Sequence, residues 1–202
     1  MTKNDYLPFS SKILEVIPHT DIEYTFRMSY NGDVKPGQFF EVSLPKYGEA
    51  PISVSGIGPG FIDLTIRRVG KVTNEIFEHY AGSSLLLRGP YGNGFSLADY
   101  RGKDLIIISG GTGLSPVRGV IDHFATHPEE RGHMTLICGF KTPHDILFHD
   151  DLARWQHAMD LILTVDNACG QSNVCEGLVT QYIPEIALGD AAQTAAIVVG
   201  PP

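Results

Sequence analysis

A switch in hydrophobic periodicity near Tyr100 limits the fold of this chain more than anything else in its sequence. Up to that point, short segments alternate apolar and polar residues, as at 11–16, 39–44 and 61–66. They are punctuated by Asn31-Gly32-Asp33, Pro36-Gly37 and Gly58-Pro59-Gly60. Period-two alternation with regular turns predicts an antiparallel sheet closed into a barrel or sandwich. One helix is predicted within it, from Val72 to Tyr80, with Thr73 or Asn74 as cap, Glu75 in its first turn and Gly82 as its stop. Beyond Tyr100 the pattern becomes continuous apolar strands (105–108, 134–138, 161–165, 195–199) alternating with helical stretches near 117–125 and 147–155. That order predicts a parallel sheet covered by helices on both faces. The expectation is therefore an antiparallel β-barrel domain over residues 1–100, followed by a parallel-sheet α/β domain over residues 101–202.

Charge and composition remove several functional classes. The net charge is -8 and the 15 Lys and Arg are scattered, so no basic stripe exists to neutralise nucleic-acid phosphates. Apolar runs are strand-length, well short of the roughly 20 residues that cross a bilayer. The N-terminus has no basic patch followed by an apolar signal core, which predicts a cytoplasmic protein. Cys138, Cys169 and Cys175 are an odd, sparse set that fits a reducing compartment and lacks the clustered spacing of an iron-sulfur site. His144-Asp145 and His149-Asp150 do not share a helical face, so solvated or capping roles are expected and no metal is predicted.

The sharpest local signal is Ser109-Gly110-Gly111-Thr112-Gly113-Leu114-Ser115-Pro116, which follows an apolar strand and opens a helix. Glycines there allow close backbone approach to a pyrophosphate, and the helix start offers unpaired N–H groups. The spacing is not G-x-G-x-x-G, so it does not by itself identify a dinucleotide. A second pair of segments is Pro51-Ile52-Ser53-Val54-Ser55, a strand edge with two hydroxyls, and Arg67-Arg68-Val69-Gly70-Lys71-Val72-Thr73, cations entering a helix. Each is open to a bland reading as solvated surface. Together they suit hydroxyl and backbone donors near a flavin ring, with a helix start and Arg67 at its phosphates.

Six motifs in this order resemble the ferredoxin-NADP reductase superfamily over the whole chain: Pro36-Gly37-Gln38-Phe39, Ala50-Pro51-Ile52-Ser53, Gly70-Lys71-Val72-Thr73, Gly89-Pro90-Tyr91-Gly92-Asn93-Gly94-Phe95, Gly110-Gly111-Thr112-Gly113 and Val199-Gly200-Pro201-Pro202. The run 41–55 with Arg88-Gly89 is most similar to the family of flavin-binding electron-transfer subunits of anaerobic sulfite reductases. A near relative is the electron-transfer subunit of dihydroorotate dehydrogenase. The resemblance implies a flavin domain and a nicotinamide-dinucleotide domain. Pro51, Ile52 and Ser53 would lie along the flavin ring, Ser53 near its N5. Gly70, Lys71, Val72 and Thr73 would hold the pyrophosphate of FAD. Gly111, Thr112 and Gly113, with Gly200 and Pro201, would hold the nicotinamide dinucleotide. Ser53 and Thr112 would stand nearest the reacting rings, and no protein acid, base or nucleophile is required.

The implied function is an electron-transfer flavoprotein subunit that oxidises NADH through FAD and passes electrons to iron-sulfur and sirohaem partners for sulfite reduction. The alternatives are a dihydroorotate dehydrogenase electron-transfer subunit, a free-standing flavin reductase and, outside catalysis, a dinucleotide-sensing module. Ala50 and Ile52 depart from the Arg and Tyr that the superfamily prefers. Asp166, after the third parallel strand, would repel the 2'-phosphate of NADPH and favour NADH, or serves only as a turn residue before Asn167. Longer relatives continue into a cysteine-rich segment that binds a two-iron cluster. A chain ending at Pro202 is therefore expected to lack that cluster and to oxidise NADH weakly.

Overall fold

Short strands whose residues alternate between a shared apolar interior and the outside close on themselves in the first half of the chain. The computed structural model describes residues 6–79, 83–186 and 188–200, and the chain divides into two units, Met1–Phe95 and Ser96–Pro202. In the first, β1 (Phe9–Pro18), β2 (Glu23–Ser29), β3 (Phe39–Leu44), β4 (Gly48–Gly58), β5 (Phe61–Arg67) and β6 (Ser84–Tyr91) form a closed antiparallel barrel in the order β1-β2-β5-β4-β3-β6. Phe26, Met28, Phe40, Val42, Ile62, Leu64, Ile66 and Leu87 are fully buried inside it. Helix α1 (Lys71–His79) adds Val72 and Ile76 to this core, and Phe77 meets the ring of Tyr24 at 4.6 Å.

The start of α1 differs from the sequence reading. Thr73 does not cap the helix from outside. It lies within the first turn, and its hydroxyl accepts the N–H groups of Val69 (3.0 Å) and Gly70 (2.9 Å). The reason is Gly70, which supplies the entry, so that the first helical bond runs from Asn74 N–H to Gly70 O. The expected helix end at Tyr80 and Gly82 lies outside the described residues.

The second unit is a five-stranded, all-parallel sheet in the order β10-β9-β8-β7-β11: β7 (Asp104–Gly110), β8 (Met134–Phe140), β9 (Asp160–Val165), β10 (Cys175–Glu176) and β11 (Thr194–Val199). The predicted barrel followed by a parallel α/β sheet is thus the fold adopted. Helices α2 (Leu114–Thr126) and α3 (His149–Trp155) link β7 to β8 and β8 to β9. Right-handed crossovers place both on one face. Among the described residues, the opposite face does not receive the predicted helical cover. The stretch from β10 back to β11 crosses it in short 3-10 turns, with Val179 standing 2.5 Å from where a side chain on Gly139 would begin. Gly177, Pro184 and Gly189 interrupt that stretch and deny it the length for an α-helix.

An ion network fastens α2 to α3. Asp151, 8% exposed, takes Arg118 Nε at 2.6 Å and Arg154, while Asp122 receives Trp155 Nε1 at 2.9 Å. Burial opposes ionisation of Asp151, but the two guanidinium groups outweigh it and hold the carboxyl below its usual range. Replacing Asp151 with Asn removes the buried carboxylate that Arg118 and Arg154 share and is expected to cost about 3 kcal/mol in denaturant unfolding. Because the folded pKa is depressed, the carboxylate's contribution is complete above its unfolded value of roughly pH 4. It fades as pH falls through the folded value, a slope that D151N removes.

Candidate functional site

Strand β4 is the longest in the barrel and serves two partners in turn. Its first half pairs with β3, from Gly48 to Ser53. Its pairing with β5 is confined to Val54–Gly58, after a bulge between Val54 and Gly56. Val54 N–H bonds Gln38 O at 2.8 Å. Antiparallel alternation therefore turns the backbone groups of Ser53 and the C=O of Pro51 away from β3; the Ser53 C=O faces Thr65 in the Val54–Leu64 pairing, which leaves the Ser53 N–H and the Pro51 C=O at the open edge. Pro51, which has no N–H to offer, stands where an edge strand tolerates proline. Ser53 and Ile52 are half-buried and Pro51 is exposed.

The predicted contacts from Val54 and Ser55 are corrected here. Val54 is a core residue, 2% exposed, and Ser55 is wholly buried, donating to Asp63 O and accepting from Thr65. Val54 points into the barrel core, whereas Ser55 points to the outer face beside Thr65 and is buried there.

At the start of α1, the N–H groups of Lys71, Val72 and Thr73 precede the first helical bond and have no acceptor within the helix. Lys71 and Gly70 are exposed there. Arg67, predicted at the phosphates, has Nε 3.1 Å from Glu23 Oε1, and Arg68 pairs with Glu78 at 2.9 Å, so neither cation is uncommitted. Tyr47, at the tip of the β3–β4 hairpin, is bonded to Glu75, which pushes its hydroxyl pKa up, and the Lys71 ammonium stands 5.7 Å from its ring centroid. A strand edge with a hydroxyl, next to a helix start bearing a lysine, fits a hydrogen-bonding ring joined to a pyrophosphate.

In the second unit, β7 ends at Gly110, and a 3-10 turn (Gly111–Gly113) leads into α2. Gly111 has φ +52° and open space where a Cβ would project, the shape of a cradle for an approaching ligand backbone. Gly113 is glycine for another reason: a Cβ would meet Val199 O at 2.6 Å. A Cβ on Gly200 would in turn meet Gly110 N at 3.2 Å. The fold thus brings together Gly110, Gly111, Thr112, Gly113 and Gly200, which lie far apart in sequence, while Pro201 falls outside the described residues. Ser109, Ser115 and Thr164 are buried at this end of the sheet with hydroxyls that have no protein partner. Unpartnered buried hydroxyls beside a helix start fit a polar ligand at the carboxyl ends of the strands. The sequence reading missed them, although three hydroxyls at the ends of two strands and the start of a helix are a legible signal.

Asp166 is exposed just past β9, its N–H held by Phe140 O at 3.0 Å. Glu176, not singled out from sequence, bonds the N–H of Ala168 at 2.9 Å and braces the same loop. Arg88 was noted only within a motif. It clasps Glu49 on β4 and donates to Tyr91 OH at 3.1 Å, and the carboxylate raises its pKa. Asp145 plays a capping role on Thr142, at 2.9 Å from its N–H. Glu75, Glu78 and His79 have donor atoms within 4.8 Å of one another, but Glu75 is bonded to His79 and Glu78 to Arg68.

The barrel followed by a parallel α/β sheet is the two-unit fold of ferredoxin-NADP reductases. Residues 107–202 match the oxidoreductase NAD-binding domain family. The chain is 34% identical over 158 residues to sulfhydrogenase 1 subunit gamma of Pyrococcus furiosus, covering 74% of this chain and 54% of that one. It is 31% identical over 163 residues to the probable dihydroorotate dehydrogenase B (NAD(+)) electron transfer subunit of Methanocella arvoryzae, covering 79% and 58%. These relatives belong to a sulfhydrogenase and a dihydroorotate dehydrogenase rather than to a sulfite reductase, and the chain spans little more than half of their length. In fold it matches a ferredoxin NADP+ reductase from Neisseria gonorrhoeae with bound FAD and NADP (TM-score 0.79, 20% identity, 96% of this chain and 86% of that one). It also matches the cytochrome b5 reductase domain of Ulva prolifera nitrate reductase (TM-score 0.80, 18% identity, 98% and 89%). Among the described residues, no helix is long and apolar enough to cross a membrane.

Two outcomes follow from this geometry. Gly111→Ala is expected to cost only the left-handed strain, about 1 kcal/mol, and Gly113→Ala substantially more, because backbone must move; thermal unfolding of the pair checks the order. Burial pushes the Cys138 thiol up to about 12, whereas Cys169 and Cys175 are exposed, so a thiol reagent should titrate two cysteines in the native chain and three after denaturation.

Proposed function

We propose that this chain is the FAD- and NADH-binding electron-transfer subunit of a multi-subunit oxidoreductase. The observation that carries this reading is the open edge of β4 at Pro51 and Ser53 beside the start of α1, where backbone groups, a hydroxyl and Lys71 suit a flavin and its pyrophosphate. Bound together, FAD and NADH would supply hydride transfer from the nicotinamide to the flavin and onward release of electrons one at a time. Ser53 offers its N–H and hydroxyl to the ring edge, and Pro51 and Ile52 pack along it. Lys71, Val72 and Thr73 present N–H groups to the pyrophosphate, with Gly70 as the entry to the helix. Gly110, Gly111, Thr112 and Gly113, with Gly200 and Pro201, cradle the dinucleotide.

NADH is favoured over NADPH by charge. The unit Ser96–Pro202 carries six Lys and Arg against thirteen Asp and Glu, so it holds -7 of the chain's -8. Exposed Asp166 adds repulsion to a 2'-phosphate. For the partner, the relatives support a dihydroorotate dehydrogenase or hydrogenase assembly over the sulfite reductase suggested by residues 41–55. Iron-sulfur subunits are the expected recipients in either case, and a sirohaem subunit remains the partner only on the sulfite reductase reading.

Purified chain mixed with FAD and desalted is expected to stay yellow and to bleach under anaerobic NADH, with NADPH much slower. Lys71→Ala should weaken FAD retention about tenfold, or roughly 1.4 kcal/mol. A colourless protein that still binds NADH would replace this reading with that of a dinucleotide sensor.

A further inference from the structure

On the face of β2 and β5 that turns away from Phe26 and Leu64, polar residues cross the strands in register: Glu23 opposite Arg67, Thr25 opposite Thr65, Arg27 opposite Asp63. The middle rung extends in both directions. His19 Nε2 stands 2.7 Å from Thr25 Oγ1, and Thr25 Oγ1 stands 2.8 Å from Thr65 Oγ1. Thr65 donates to Ser55 at 2.7 Å, and Ser55 donates to the carbonyl of Asp63 at 3.1 Å. The three hydroxyls are buried, at 2%, 7% and 0% exposure for Thr25, Thr65 and Ser55.

A hydroxyl has a single proton, so the chain can run in one direction only. The proton of Ser55 goes to Asp63 O, which obliges Ser55 to accept from Thr65. Thr65 must then accept from Thr25, and Thr25 from a protonated His19 Nε2. A backbone carbonyl at one end therefore selects the histidine tautomer at the other. The Asp63 side chain is itself held by Arg27 through two bonds, at 2.9 and 3.1 Å.

The chain ends where β4 changes partner. Ser55 lies within the bulge between Val54 and Gly56, next to Val54–Leu64, the last pair that ties β4 to β5 before the edge opens. Bulges re-aim the residues next to them, and a re-aimed residue needs something to hold it. We propose that His19, Thr25, Thr65 and Ser55 are positioning residues that hold the bulge, and through it the flavin-facing N–H of Ser53. This inference rests on the FAD reading above and adds residues that do not touch the flavin.

The test compares Thr65→Val, which keeps shape but deletes both hydrogen bonds, with Thr65→Ser, which keeps them; Ser55→Ala is the second deletion should Thr65→Val not fold. In the flavin-free chain, hydrogen exchange of the Val54 amide, which is bonded to Gln38 O, should quicken at least tenfold in the deletions and not in Thr65→Ser. Amides at Ile107 and Ile137 should be unmoved. Nitrogen NMR of His19 should report the Nε2–H tautomer in the wild type and its loss in the deletions. With FAD added, the deletions should weaken binding at least fivefold and shift the flavin absorption band, and Thr65→Ser should restore both. Unchanged exchange and tautomer would overturn the proposal regardless of FAD. Altered exchange with unchanged FAD affinity and spectrum would also overturn it, leaving a merely structural chain. A wild type with responsive amides that binds no FAD would sink the FAD reading itself, and the flavin-positioning role with it.

Discussion

A strand that must pair on both sides to close a barrel, yet leave one edge free to bind, sets the central constraint on the first unit. β4 satisfies both demands by length. Its far half completes the ladder with β5, while its near half pairs only with β3, and the bulge at Val54–Gly56 separates the two regimes. Unpaired edge groups are usually a liability. Here Pro51 removes one donor from that edge, and the start of α1 follows the end of β5 in the chain.

The second unit depends on close backbone approach. Gly113 lies against Val199 and Gly200 against Gly110, with no room for a Cβ on Gly113 and little on Gly200. This contact pins the turn after β7 to the end of β11, although more than 80 residues separate them. Gly111, by contrast, has space around it and a positive φ, so the same three-glycine motif contains two different physical requirements. The Arg118–Asp151–Arg154 network then fixes α2 against α3, and with it the helix start that closes the turn.

Much of this was legible beforehand because side-chain periodicity reflects the environment on each side of a strand. The barrel, the parallel sheet and the glycine turn followed from spacing alone. What misled the reading was local: alternation could not show that Ser55 is buried by Thr65 on the outer face while Val54 fills the core, and the apparent cap at Thr73 acts from within the helix. Arg67 looked available, yet its cross-strand neighbour is Glu23, a pairing that depends on register.

By itself the sequence determined the two strand patterns, the position of the change between them, the glycines that permit tight turns and the surplus of acid after Tyr100. These are properties of neighbours along the chain, where period and backbone freedom act directly. Only the tertiary structure decided which hydroxyls join into a one-way chain, which cations are already neutralised and which part of β4 keeps an open edge. Such features arise between residues distant in sequence, and their energies depend on registers that no local pattern encodes.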